Sequence, residues 1–239
     1  MQLMSEENKL KIAEHFYSLQ GEGMSSGTPA VFLRLSGCQF DCSWCDTVEV
    51  WRHGTWYQLD EVDGLFDINS YYRRLRMGAH LVITGGDPLI QQMQLSALFN
   101  RLLEFGREPH RIYVEVETQG YNMPRPEFSK WVKQWNVSPK LANSGVEEDK
   151  RIISDVLNWH ANSNSCFKFP ISNEDEFREV DRIVRQHQLK RTRVYLMPVS
   201  FSREDLIDKS KMVAEMAMRT GYRYSSRLQL LIWDKTTGV

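Results

Sequence analysis

The chain has 239 residues, with 30 Lys and Arg against 31 Asp and Glu and a formal net charge of -1. A balance this close to zero supplies no overall field toward nucleic acid or an anionic membrane, so any such binding would have to be local. Hydrophobic residues at 41% and charged ones at 26% exclude disordered, collagenous and coiled-coil chains and suffice for a core around a deep site. No apolar run approaches the roughly 18 residues that a membrane span needs. The opening Met1-Gln2-Leu3-Met4-Ser5-Glu6-Glu7 lacks the basic and apolar stretches of a signal peptide, and a cytoplasmic location is expected.

Short apolar runs rich in β-branched residues alternate with longer stretches of helical period, the pattern of parallel βα units. In chain order the sequence predicts a strand over 30–36, a helix over 68–77, a strand over 81–84 and a helix over 89–105. Strands over 111–117, 135–138, 166–171 and 193–199 follow, with helices over 128–133, 147–159, 173–188 and 203–220. In the second helix Leu95, Leu98, Leu102 and Phe105 recur on one face. This is an α/β chain, read as an incomplete (β/α) barrel of about six parallel strands with outer helices, ligands lying at the strand C-termini. An open doubly wound sheet has the same property. No linker divides the chain, so a single domain is expected. The segment 48–66, with Trp51, Trp56 and Tyr57 among polar residues, fits neither period and reads as an insertion or lid.

Three of the four cysteines fall within eight residues, in Cys38-Gln39-Phe40-Asp41-Cys42-Ser43-Trp44-Cys45, directly after the first predicted strand. Such clustering makes metal ligands and not a disulfide framework. Soft thiolates select an iron-sulfur cluster, zinc or Cu(I). A structural zinc site would need a fourth ligand such as His53 or Cys166, whereas a 4Fe-4S cluster held by three Cys leaves one iron open, the simpler reading.

The spacing of Cys38, Cys42 and Cys45, with Trp44 before the last, resembles the radical S-adenosylmethionine superfamily. Over nearly the whole chain the resemblance narrows to the 7-carboxy-7-deazaguanine synthase family. It implies a modified radical S-adenosylmethionine core, a 4Fe-4S cluster, S-adenosylmethionine and Mg2+. The implied reaction contracts 6-carboxy-5,6,7,8-tetrahydropterin to 7-carboxy-7-deazaguanine with loss of ammonia, usually toward queuosine in tRNA. A flavodoxin or ferredoxin electron donor and a homodimer are further implications.

Residue by residue, the resemblance assigns Leu19, Gln20 and Gly21 of Leu19-Gln20-Gly21-Glu22-Gly23 to the pterin, and with them Arg34, Thr84 and the C-terminal Val239. Arg34 shares a strand face with Phe32 and Ser36, and a buried guanidinium there needs an anionic partner such as a substrate carboxylate. Thr47 offers a hard oxygen to Mg2+. For S-adenosylmethionine the resemblance assigns Gly86 in Thr84-Gly85-Gly86-Asp87, then Glu117, Ser138, Pro139, Lys140, Met197, Pro198, Val199 and Ser200, with Lys168 a weaker match. Asp87 stands where many relatives have Glu.

Other features read as structure. Glu115 shares a strand face with Glu117 and is taken as an ion-pair member, and Cys166 as a small core residue. The clusters Arg73-Arg74-Arg76 and Lys190-Arg191-Arg193 lack interleaved aromatics, so no nucleic-acid binding is expected. Two alternatives share the cysteine loop: an activase that takes hydrogen from a glycine of a partner protein, and a non-catalytic zinc-binding module. The activase would not need Arg34, Thr47 or Leu19-Gln20-Gly21, and the module would be colourless with stoichiometric zinc.

Overall fold

The computed structural model describes residues 8–45, 47–236 and 238. Its strands are β1 (Lys9–Leu19), β2 (Pro29–Leu35), β3 (Thr55–Gln58), β4 (His80–Gly85), β5 (Val114–Thr118), β6 (Val132–Val137), β7 (Ser165–Ile171), β8 (Val194–Pro198) and β9 (Arg223–Tyr224). All join one sheet in the order β3-β1-β2-β4-β5-β6-β7-β8-β9. From β2 to β9 neighbouring strands are parallel. β1 lies antiparallel to β2 and to β3. The six predicted strands are the parallel run from β2 to β8, and the sheet stays open, the expected incomplete barrel.

Alternation along the strands separates core from cavity. In β2, Val31, Leu33 and Leu35 are buried under the helices, while Phe32 and Arg34 face the barrel interior and line its cavity. The helix Gln92–Glu104 closes part of the core with Leu95, Leu98, Phe99 and Leu102. Two later helices start as their sequences dictate. Asn173 caps the helix Glu174–Gln186 by accepting from the Glu176 N–H at 2.9 Å. Ser202 caps the helix Arg203–Thr220 by accepting from the Asp205 N–H at 3.2 Å, and Gly221 in the left-handed conformation ends it.

Some elements differ from expectation. The helix expected over 147–159 is interrupted at Ile152–Ile153 into Glu148–Arg151 and Ser154–Ala161. Arg151 is drawn inward there, donating to the Lys140 carbonyl at 2.9 Å and pairing with Glu179 at 2.7 Å. The helix expected over 128–133 shrinks to Pro126–Ser129, because β6 already begins at Val132. The segment 48–66 divides in three. Its start forms α1 (Val48–Trp51), from which Val50 and Trp51 line the cavity. Next, β3 extends the sheet edge, and α2 (Leu59–Ile68) then buries Leu59, Val62 and Phe66 in the core.

Candidate active site

The C-terminal ends of the parallel strands, together with the loop after β1, enclose a cavity of about 520 Å³. Cys38, Cys42 and Cys45 are free thiols on its wall. The loop that carries them is fixed from two sides. On one, the segment after β6 holds it: the Ser43 N–H donates to the Ser144 carbonyl at 3.0 Å, and the Trp44 indole Nε1 donates to Asn143 Oδ1 at 3.0 Å. On the other, the end of β4 presses on it, with the Asp87 N–H donating to the Gly37 carbonyl at 2.9 Å. Only glycine fits at position 86, where a Cβ would stand 2.6 Å from that of Cys38 and closer still to the Gly37 oxygen.

Burial pushes the Cys38 and Cys42 thiols above their ordinary range, so loading a metal must drive off their protons. The Lys140 ammonium, 5.2 Å from the centre of the Trp44 ring, opposes that shift at both sulfurs. Asp87 does not line the cavity. It is 1% exposed and accepts from Thr118 Oγ1 at 3.0 Å and the Leu89 N–H at 3.0 Å, tying the end of β5 to the turn after β4. Burial raises its carboxyl to about 6.

The opposite wall is a charged network that closes the open side of the barrel. Lys168 Nζ, on β7, donates to Glu22 at 2.9 Å and to Glu117 at 3.0 Å. Glu22 also accepts from Arg227 at 3.1 Å and from Gln229 at 2.8 Å. Glu117 accepts from Thr84 Oγ1 at 2.9 Å. The backbone makes the same closure, the Leu228 N–H donating to the Gly21 carbonyl at 2.9 Å. Arg34 has its anionic partner within the chain: Glu14, opposite it on β1, accepts from Nε at 2.7 Å.

Every described residue that the sequence reading placed at the site lines this cavity except Pro139, which is buried beside it. Val239 lies outside the described residues. Sequence reasoning missed Glu14, Arg227 and Gln229 and left Glu22 and Trp51 without a role, and all five line the cavity. Glu14 shares one face of β1 with Phe16 and Ser18, but the pairing of that strand shifts between Ile12 and Glu14, and Arg227 and Gln229 sit in a segment with no periodic signal. Glu115 is fully buried, bonded to His80 and, at 2.8 Å, to Asn136, as the ion-pair reading had it.

The donor set suits an iron-sulfur cluster, with three soft, unpaired thiols on one loop and N–H groups aimed at two of the sulfurs. An incomplete parallel barrel whose first parallel strand runs into such a loop, with room beside it for a nucleoside and a second small molecule, defines a radical S-adenosylmethionine enzyme. A family model for the 4Fe-4S single cluster domain matches residues 19–137. The chain is 36% identical to the 7-carboxy-7-deazaguanine synthase of Pyrobaculum aerophilum, covering 98% of this chain and 100% of that one. It is 33% identical to that of Hyperthermus butylicus, covering 93% and 92%. The crystal structure of QueE from Escherichia coli superposes with a TM-score of 0.68 at 23% identity, over 92% of this chain and 94% of that one, a likeness of fold. The chain belongs to the 7-carboxy-7-deazaguanine synthase family.

Proposed function

We propose that the protein converts 6-carboxy-5,6,7,8-tetrahydropterin to 7-carboxy-7-deazaguanine and ammonia, in the route to queuosine and related 7-deazapurines. The observation that carries this is the end-to-end likeness to enzymes of that name, at 36% identity over 98% of the chain. Cys38, Cys42 and Cys45 would hold the 4Fe-4S cluster. With S-adenosylmethionine bound, that cluster supplies one-electron chemistry and a carbon radical able to take a hydrogen atom from the substrate.

The chain's own residues bind and orient. Gly86 lets the end of β4 approach the cysteine loop, bringing backbone groups to the cofactor. Glu117, Ser138, Lys140 and the run Met197 to Ser200 line the chamber on the cofactor side, with Pro139 behind them. Leu19, Gln20, Gly21 and Thr84 face the pterin, and Val239 is assigned to the same pocket. Arg34 meets the substrate carboxylate with its charge already shared with Glu14, so it orients the anion without full neutralisation. Thr47 lines the cavity 3.9 Å from Cys45 Sγ and offers a hydroxyl oxygen to Mg2+ beside the substrate. Lys168, paired with Glu117 on the cofactor side and with Glu22 beside the pterin entry, presents fixed charges between the two ligands. A flavodoxin or ferredoxin as electron donor, a homodimeric assembly and a cytoplasmic setting complete the reading.

The test is anaerobic incubation of the iron-loaded chain with carboxytetrahydropterin, S-adenosylmethionine and a one-electron reductant, followed by mass spectrometry. A product lighter by one ammonia, with S-adenosylmethionine recovered intact, is expected. Unchanged pterin alongside cleaved S-adenosylmethionine would refute the substrate assignment.

A further inference from the structure

The three thiols of the cysteine loop are not equivalent. Trp51, the last residue of α1, points its indole Nε1–H at Cys45 Sγ, 3.4 Å away. The Gln119 carboxamide nitrogen stands 3.6 Å from Cys38 Sγ, which also accepts from the Phe40 backbone N–H at 3.5 Å. Among the described residues no N–H donor reaches Cys42 Sγ. Both side chains are held where they are. The Trp51 carbonyl accepts from the Gly37 N–H at 3.1 Å, which ties α1 to the residue before Cys38. Gln119 is 4% exposed, and its nitrogen is shared with Gln39 Oε1 at 2.8 Å. The other indole of the loop, Trp44, gives its N–H to Asn143.

A protonated Cys38 could instead donate to Gln119 Oε1, 3.9 Å away. A thiolate bound to iron has no proton to give and can only accept. Hydrogen bonds to cluster sulfurs are among the quantities that set a cluster's reduction potential. The physical reason is charge: one-electron reduction adds a negative charge spread over iron and sulfur, and an N–H dipole aimed at sulfur stabilises that state more than the oxidised one.

We propose that Trp51 and Gln119 set the reduction potential of the cluster, raising it through N–H···S bonds to Cys45 and Cys38. One electron passes from an external one-electron donor to the cluster, the donor is oxidised by one electron, and no bond or proton is exchanged. The inference rests on the cluster reading of the three cysteines.

The experiment is a mediated redox titration of the iron-loaded full chain without S-adenosylmethionine, read by electron paramagnetic resonance of the reduced cluster. Trp51→Phe keeps an aromatic ring and removes the donor. It is expected to lower the equilibrium constant for reduction by about threefold to tenfold, tenfold being about 59 mV for one electron. Gln119→Met should shift it the same way. Trp56→Phe, on β3 and 55% exposed, should leave it unmoved. A Trp51→Phe cluster that titrates with the unaltered one overturns the proposal while leaving the cluster intact. An unaltered chain that takes up no iron overturns both readings. Should Trp51→Phe fail to load iron, the unaltered reduced cluster labelled with 15N-indole tryptophan decides. A 15N hyperfine coupling to the cluster supports the bond, and its absence overturns it.

Discussion

Replacing Lys168 by Met tests the charged wall of the cavity. Lys168 Nζ lies 2.9 Å from Glu22 and 3.0 Å from Glu117, with its side chain 5% exposed. Removing one partner of a buried ion pair costs about 3–5 kcal/mol, because a charge is left uncompensated. Glu22 keeps Arg227 and Gln229 at 3.1 and 2.8 Å, which places the loss near the lower bound, about 3 kcal/mol. At roughly 2–4 °C per kcal/mol for a chain of this size, the melting temperature at pH 7 should fall by about 6–12 °C.

The loss carries a pH signature. Burial by itself would raise the Glu22 carboxyl, but Lys168 and then Arg227 more than reverse it and hold it far below its ordinary value of 4.5. A depressed carboxyl contributes stability that is present above its unfolded pKa and lost as pH falls through the folded one. Burial likewise acts against the Lys168 charge, yet Glu117 and Glu22 outweigh it and raise its pKa above 10.5. That contribution is complete below the ordinary lysine range and does not vary across acidic and neutral pH. In the Met variant Glu22 loses the larger of the two charges that oppose its burial and takes up a proton more readily as the solution is acidified, so the deficit should narrow from pH 7 toward pH 4.5. Thermal melts of the metal-free chain, monitored by circular dichroism at the two pH values, measure this. Equal melting temperatures at pH 7, or a gap that stays constant with pH, would refute the reasoning.

Gly86→Ala should abolish iron uptake while leaving the far-ultraviolet spectrum unchanged, since the added methyl displaces the Gly37–Cys38 backbone and little else; iron content by colorimetric assay checks it. Burial raises Asp87 to about 6 from 3.8, so the folded state binds the extra proton and this group makes the chain more stable as pH falls from about 6 toward 4. Asp87→Asn should remove that rise, read as a urea midpoint at pH 5 that is lower, relative to the midpoint at pH 7, than in the unaltered chain. Thr47→Ala should reduce turnover by about tenfold or more and flatten its dependence on Mg2+, and an unchanged magnesium titration would count against the hydroxyl as a ligand.

The sequence made the parallel run from β2 to β8 legible because each strand there, β6 from Trp135 onward, keeps one phase, apolar toward the helices and mixed toward the cavity. β1 was illegible for a physical reason. Its pairing with β2 shifts between Ile12 and Glu14, so Leu10 and Ile12 are buried in the core, while Glu14 pairs opposite Arg34 and faces the cavity. The bulge breaks the period of two that identifies a strand. The cysteine loop and the glycines after β4 were readable because their chemistry is local in sequence. The opposite wall was not: Glu22 meets Arg227 and Gln229 across 205 and 207 residues, and no pattern in one chain segment announces a partner so far away.

Those last contacts impose an order on biogenesis. During synthesis the β1 loop leaves the ribosome early and waits for the residues around Leu228 that complete its hydrogen bonds. A nascent chain can therefore build its sheet while its ligand chamber still gapes, and closing a loop of that length is a slow, late event. Cofactor capture is thus coupled to the arrival of the segment around Leu228, so that a chain cut before it would display the three cysteines without the wall that shelters what they hold.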